Sequence, residues 1–267
     1  GNLTGESTIN LLSKVKDDDI VILELSSWSL SGFHKKKISP NIAIFTNFYP
    51  DHLNYYKKMD DYFFDKKAIF MYQKENDICF INEQLKNEIS EDEYVSNIKF
   101  FGAKDYEGKL NHLRGTHNRE NAAAAYHIGR LFNLSDLEIY DELKNFKSVK
   151  YRQEILKVID GITIINDSTS TTPTSTIKAI DTFKDKPIVL ILGGHTKNLS
   201  VNYLTERLAD VDKIVLIKGT FTDEILNVLN CTERGSPLPR RDWRMAHQLQ
   251  IQGRIFASGA VCIFWDP

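Results

Sequence analysis

The sequence is short of several features that mark whole classes of protein. Its three cysteines, Cys79, Cys231 and Cys262, lie far apart without a C-x-x-C pair, which argues against a disulfide framework or a zinc site. No apolar run approaches the roughly 20 residues needed to cross a bilayer, and no signal peptide opens the chain. A net charge of −2 over 267 residues offers no electrostatic footprint for nucleic acid or an anionic membrane. We therefore expect a cytoplasmic globular protein without nucleic-acid or membrane partners.

The phosphate-loop signature G-x-x-x-x-G-K-[ST] is also absent. The stretch "PIVLILGGHTKNLS" (187–200) comes near it, because an apolar run opens into a loop with two glycines and a lysine. The loop nevertheless does not spell the signature, which leaves its role open at this point.

What the sequence does contain is an alternation of short apolar runs with helical patterns. Strands are predicted at 19–27, 41–48, 77–82, 161–167, 187–194 and 213–219, and helices at 59–74, 117–134, 173–183 and 200–210. Such alternation favours an α/β fold with parallel sheets and flanking helices. The pattern restarts near residue 150, which predicts two domains, 1–148 and 149–267.

From about residue 232 the character of the chain changes. Arginines cluster there, at positions 234, 240, 241, 244 and 254, whereas lysine dominates before, and the periodicity is weak. A shifted reading frame explains the change in composition, and a divergent but genuine terminus is the alternative. Under the first hypothesis the tail packs poorly and exposes Trp243, Phe264 or Trp265.

Three places put ligand-type side chains at the ends of predicted strands, where open α/β sheets bind ligands. They are Glu24 in "LELSS", the Asp51-His52 pair in "TNFYPDHLN", and the hydroxyl-rich loop "NDSTSTTP" (166–173). Each has a plain structural alternative: a carboxylate facing solvent, a loop-capping Asp with a surface His, and an N-cap cluster.

Taken in order, the segments "ELSSWSL", "ISPNIAIFTNFYPDHL", "KKAIF", "GTHNRENAAAA", "YRQE", "INDSTSTTP" and "LILGGHTKNL" resemble the Mur ligases. The resemblance covers roughly residues 1–225 and is strongest to the MurD type. It implies a central ATPase-type domain followed by a Rossmann-like C-terminal domain.

The resemblance also implies a reaction. Members of this family activate a carboxylate with ATP to an acyl phosphate, which an amine then attacks to form an amide. For the MurD type the amine is D-glutamate and the acid is UDP-N-acetylmuramoyl-L-alanine, a step of peptidoglycan precursor synthesis. ATP, two Mg²⁺ ions, these small-molecule substrates and a monomeric state are the corresponding expectations.

The resemblance assigns metal and catalytic roles to three residues. Glu24 and His52 match Mg²⁺ ligands, and Lys66 matches a lysine that is carbamylated in this family, which would make it an oxygen ligand for a hard cation. His52 and Lys66 are thus the expected catalytic residues. The neighbouring Lys67 leaves the choice of lysine open, and a solvent-facing helix charge is the alternative for both.

The remaining site residues fall into three sets. The expected nucleotide contacts are Asn118, Asn121, Arg152 and Asp167. The expected contacts to the UDP-muramoyl substrate are Asn2 and Ser26. Lys197, together with Thr171, is expected to contact D-glutamate. In this interpretation "GGHTKN" is an amino-acid-binding loop.

The chain departs from the family pattern in three ways. Where many members read N-D-S-K-A-T-N, this chain has Thr169 at the lysine position and Thr172 at the last position, so a lysine contact is missing. The phosphate loop would lie upstream of the region matching "GNLTGE", and the closing Ser-Pro…Ser-Phe segment is not recognisable. We expect no amide product from the sequence as given. The alternatives are another Mur or folylpolyglutamate-type ligase, and a non-catalytic remnant that holds nucleotide or substrate.

Overall fold

The computed structural model describes residues 8–90 and 93–232, together with the backbone of residues 243–246, 250–251, 254–255 and 259–265. These residues form two compact units. Unit 1 contains residues 1–48 and 56–100, and unit 2 contains residues 49–55 and 101–267. The sequence-based boundary at residue 148 lies elsewhere and stays a prediction.

The helices and strands can be given once for reference. The α-helices are α1 (Ser27–Lys36), α2 (Met59–Lys67), α3 (Thr116–Leu131), α4 (Asp136–Lys144), α5 (Pro173–Phe183), α6 (Asn202–Arg207) and α7 (Thr220–Thr232). The strands are β1 (Ile42–Phe45), β2 (Ile78–Asn82), β3 (Asn97–Phe101), β4 (Glu154–Ile159), β5 (Ile162–Asp167), β6 (Ile188–Gly193), β7 (Lys213–Ile217), β8 (Trp243–Ala246), β9 (Gln250–Ile251), β10 (Arg254–Ile255) and β11 (Gly259–Trp265).

Unit 1 is built on a three-stranded sheet in the order β1-β2-β3, in which β1 and β2 run parallel. Its core is aromatic-rich, with Phe45, Phe70 and Ile81 among the buried side chains. Helix α2 begins with Asp60 and Asp61 in its first turn, where carboxylates favour the helix N-terminus. The predicted strands at 41–48 and 77–82 are confirmed, and the predicted helix 59–74 ends early at Lys67.

The predicted strand at 19–27 is wrong. Residues 19–26 are irregular, and Ser27 already opens helix α1. The run "IVIL" is exposed, with Ile22 at 88% and Ile20 at 64% of their full accessibility. A strand needs a neighbouring strand for its backbone hydrogen bonds, and none of the described strands pairs with this segment.

Unit 2 contains a six-stranded sheet in the order β4-β5-β11-β6-β7-β8. Strand β11 is antiparallel to both β5 and β6, so β5 and β6 point the same way. Strand β7 is parallel to β6. The carboxyl ends of β5, β6 and β7 therefore share one edge of the sheet, as the α/β prediction requires, whereas β4 runs antiparallel to β5.

The start of helix α5 and its buried face follow from the local sequence. Thr172 caps the helix: its Oγ1 accepts a hydrogen bond from the Ser175 N–H at 3.3 Å, and Pro173 occupies the first turn, where its missing N–H costs nothing. Thr176, Ala179, Ile180 and Phe183 follow at helical spacing and are buried in the core of unit 2. The predicted helix 173–183 is confirmed.

The described part of the tail contributes strands to the sheet of unit 2. Its backbone forms β8 at one end of the sheet and β11 in the middle, where β11 pairs over six residues with β5 and over six with β6. The side chains of Trp243, Phe264 and Trp265, which were expected to be exposed, lie outside the described residues. Among the residues that the structure does describe, no helix is long and apolar enough to cross a membrane.

The approach between Gly219 and the loop after β6 gives a test of this packing. A Cβ at Gly219 would lie 2.4 Å from the carbonyl oxygen of Gly194, a backbone atom that cannot simply rotate away. We expect Gly219→Ala to lower the free energy of unfolding by about 1–3 kcal/mol, as overpacking does. Gly32→Ala is the control, because nothing lies within 4 Å of that position in helix α1. It should be stabilising by about 0.5–1 kcal/mol. Urea unfolding followed by circular dichroism measures the free energy of unfolding of both variants. Equal effects of the two substitutions would contradict the close approach of Gly219 to Gly194.

Candidate functional site

Two loops at the shared edge of the unit 2 sheet enclose a cavity. The loop after β5 and the loop after β6 provide most of its lining, residues 170–173 and 192–197, and Thr176, Leu199 and Phe221 complete it. The volume is about 280 Å³. This is the place where open α/β sheets hold their ligands, and it lies wholly within unit 2.

Lys197 and Thr171 meet at this cavity. The Lys197 Nζ donates a hydrogen bond to Thr171 Oγ1 at 3.0 Å, although the residues are 26 positions apart in the chain. Both had been predicted to contact the same ligand. The structure brings the two predicted residues together, and their role in binding stays a proposal.

A carboxylate faces the same ammonium. Asp51 Oδ1 lies 3.6 Å from Lys197 Nζ, and the exposed fractions of the two side chains are 25% and 40%. His52 follows with a left-handed φ of 56°, and its N–H donates to Asp51 Oδ1 at 2.8 Å. The His52 Nε2 is 3.8 Å from Asp51 Oδ2. The predicted Asp51-His52 pair therefore lies beside Lys197.

Asp167 is buried at the carboxyl end of β5. Its carboxylate accepts hydrogen bonds from the Ser170 hydroxyl at 2.6 Å and from the Gln153 N–H at 3.0 Å. Burial raises the pKa of Asp167 above its ordinary value of 3.8, and the two hydrogen bonds and the positive charge of Arg152 oppose that rise. The predicted pair Arg152 and Asp167 thus interacts electrostatically.

The turn that carries Arg152 is held by the loop after β5. Tyr151 has a φ of 68° and Gln153 a φ of 45°, both in the left-handed region. The Tyr151 carbonyl accepts two hydrogen bonds from Thr169, from its N–H at 3.1 Å and from its hydroxyl at 2.7 Å. Thr169, one of the departures from the family pattern, therefore has a structural partner.

The start of helix α3 carries the two predicted asparagines. Asn118 Nδ2 donates to the Arg114 carbonyl at 2.7 Å, and Asn121 is exposed one turn further along. His117 was not predicted. Its Nε2 lies 3.5 Å from Gln153 Nε2, and burial, with the nearby Lys178 charge, lowers the pKa of His117. Its place in "GTHNREN" was the only signal that could have found it.

The expected metal ligands are divided between the units. Glu24 is exposed on the irregular segment before α1, and Lys66 lies in the last turn of α2 with its Nζ 5.2 Å from the centre of the Tyr62 ring. Lys67 has a matching contact with Phe63, so the ambiguity between the two lysines remains. Residues 8–90 and 93–232 contain no group of three or more His, Cys, Asp or Glu that could hold a metal ion.

The structure gives little support to the two residues expected to contact the UDP-muramoyl substrate. Ser26 is the N-cap of α1, where its Oγ accepts a hydrogen bond from the Ser29 N–H at 3.3 Å. That cap accounts for the serine without a ligand. Asn2 lies outside the described residues.

The raised pKa of Asp167 predicts a specific dependence of stability on pH. As the pH rises above 3.8, this carboxyl group loses its proton first in the unfolded chain, because the folded pKa is higher. The wild type should therefore lose stability relative to Asp167→Asn until the pH exceeds the folded pKa. Chemical denaturation at several pH values measures that difference.

Asp185→Asn, at an exposed position of the same unit, is the control. A difference between wild type and Asp167→Asn that does not change with pH would refute the assignment.

Comparison with known sequences identifies the family of this chain. Residues 3–111 match the Mur ligase middle domain. A protein of Clostridium tetani named UDP-N-acetylmuramoylalanine–D-glutamate ligase is 33% identical over 82% of this chain and 52% of its own length. One of the same name from Acetivibrio thermocellus is 32% identical over 98% of this chain and 62% of its own. The chain thus spans less than two thirds of either relative.

Solved structures give the same fold. MurF ligase from Thermotoga maritima, in complex with ADP, aligns with a TM-score of 0.58 at 18% identity, over 80% of this chain and 60% of its own. MurC from the same organism aligns with a TM-score of 0.55 at 16% identity, over 80% and 53%. The matched middle domain, the relatives of the MurD type and this shared fold confirm the predicted resemblance, and the chain belongs to the Mur ligase family.

Proposed function

We propose that this chain is part of an ATP-dependent ligase of the MurD type, which joins D-glutamate to UDP-N-acetylmuramoyl-L-alanine in the synthesis of peptidoglycan precursors. The names of the relatives at 32–33% identity support both substrates. The use of ATP is a property of the family, and the ADP complex of the Thermotoga maritima relative agrees with it.

The observation that carries the proposal is the contact between Lys197 and Thr171 at the cavity edge. An ammonium and a hydroxyl only 3.0 Å apart can both donate hydrogen bonds to one carboxylate. Charge-assisted hydrogen bonds of this kind are roughly twice as strong as neutral ones. The cavity of about 280 Å³ beside them provides room for the rest of a small amino acid.

The nucleotide is assigned to other residues of the same unit. Arg152 provides a permanent positive charge for phosphate oxygens, and the buried carboxylate of Asp167 can accept hydrogen bonds from ribose hydroxyls. Asn118 and Asn121, one turn apart on α3, share a face of that helix and are the proposed contacts to the adenine nucleotide.

Both chemical steps gather negative charge on phosphate oxygens. The substrate carboxylate first attacks the γ-phosphorus of ATP and ADP leaves; the amine of D-glutamate then attacks the acyl phosphate and inorganic phosphate leaves. Arg152 is a fixed cation that can offset this charge. By resemblance to the family, Glu24, His52 and a carbamylated Lys66 are the residues proposed to bind Mg²⁺. The carboxylate and the carbamate would provide the oxygen atoms that Mg²⁺ prefers, and the ion when bound would supply further positive charge.

Binding of D-glutamate tests the proposal directly. We expect the chain to bind D-glutamate more tightly than L-glutamate, D-alanyl-D-alanine or diaminopimelate. Lys197→Met should raise the dissociation constant about tenfold or more, because it removes a charged hydrogen-bond donor. Isothermal titration calorimetry measures each constant.

The matched control is Lys184→Met, at the exposed end of helix α5. It should leave the dissociation constant for D-glutamate unchanged. Preference for one of the other amine substrates would point to a different ligase of the family. Equal binding by Lys197→Met and wild type would remove the main support for the assignment.

A further inference from the structure

We infer that Glu224 is a positioning residue, which acts through Thr196 to hold Lys197 in the orientation that receives the carboxylate of the incoming amino acid. This inference rests on the proposed function. It adds a residue on α7, outside the cavity lining, to the machinery of D-glutamate binding.

The contact that carries the inference is a hydrogen bond between a side chain of the loop after β6 and a side chain of helix α7. The Thr196 hydroxyl donates to Glu224 Oε2 at 2.7 Å, and both side chains are partly buried. The backbone N–H of Thr196 donates to Thr220 Oγ1 at 3.0 Å. Thr196 is thus attached to the first turns of α7 through its backbone and its side chain.

The same hydroxyl also orders the residue after the lysine. Thr196 Oγ1 accepts a hydrogen bond from the Asn198 N–H at 3.1 Å, and Asn198 has a left-handed φ of 58°. Lys197 therefore lies between Thr196 and Asn198, and hydrogen bonds of Thr196 fix the backbone on both sides of the lysine. A long lysine side chain has many rotamers, so fixing its Cα and flanking peptides reduces the entropy that ligand binding must remove.

Helix α7 is a firm support for this arrangement. The Thr222 hydroxyl, fully buried, donates to the carbonyl oxygens of Ile217 and Gly219, and Ile225 is buried in the core of the unit. The Phe221 N–H donates to the Gly194 carbonyl at 3.2 Å. The turn that carries Glu224 is therefore tied both to β7 and to the loop that it positions.

The experiment compares matched variants of the whole chain, with D-glutamate as the probe. Thr196→Val preserves the shape of the side chain and removes the hydroxyl, whereas Thr196→Ser restores it. Glu224→Ala removes the acceptor, and Asp223→Asn, exposed in the same turn, is its control. Calorimetry gives the dissociation constant, amide hydrogen exchange of residues 195–198 without ligand reports loop order, and urea unfolding reports global stability.

We expect Thr196→Val and Glu224→Ala to raise the dissociation constant about tenfold and to speed exchange at residues 195–198, while Thr196→Ser and Asp223→Asn resemble the wild type. A loss of global stability that accompanies unchanged D-glutamate binding would show a merely structural role and overturn the inference. Wild-type binding with equal binding by Thr196→Val would overturn it while leaving the proposed function intact. An absence of wild-type binding would overturn the proposed function and this inference with it.

Discussion

The common direction of β5, β6 and β7 is the constraint on which the candidate site depends. Because these strands point the same way, the loops that follow them emerge at one edge of the sheet. The alignment is stabilised by the burial of Leu190, Leu192 and Leu216, each at most 1% exposed. Residues that are distant in sequence, such as Thr171 and Lys197, then come within hydrogen-bonding distance without any covalent constraint.

The parts of this arrangement that the sequence could predict are those set by local chemistry. The run "PIVLILGG" has the length and composition of a buried strand, and the Thr172-Pro173 pair is a strong signal for a helix start. The run at 20–23 has the same character, yet Ile22 is exposed, because periodicity reports a capacity for burial and not the presence of a neighbouring strand. For the same reason the tail, with its weak pattern, gave no indication that β11 lies between β5 and β6.

The site shows the same division. The pairing of Lys197 with Thr171 followed from the resemblance to the family. The Thr196–Glu224 bond, by contrast, spans 28 residues and depends on the placement of a loop relative to helix α7. No sequence rule connects those positions. Thr169 illustrates the reverse case: the sequence marked it as the loss of a lysine, and the structure shows that its hydroxyl donates to Tyr151 instead. Among the residues proposed to contact the nucleotide or D-glutamate, Arg152 and Lys197 then carry the positive charge.

Under the proposed function, the ion pair between Asp51 and Lys197 has a consequence for the choice of ligand. A simple anion that binds Lys197 must compete with a carboxylate already 3.6 Å away, and it brings no positive group to replace the ammonium that Asp51 loses. An α-amino acid carries both signs of charge, so it can satisfy the lysine and the aspartate together. At the proposed amino-acid site, the pair would therefore favour a zwitterion over a simple anion.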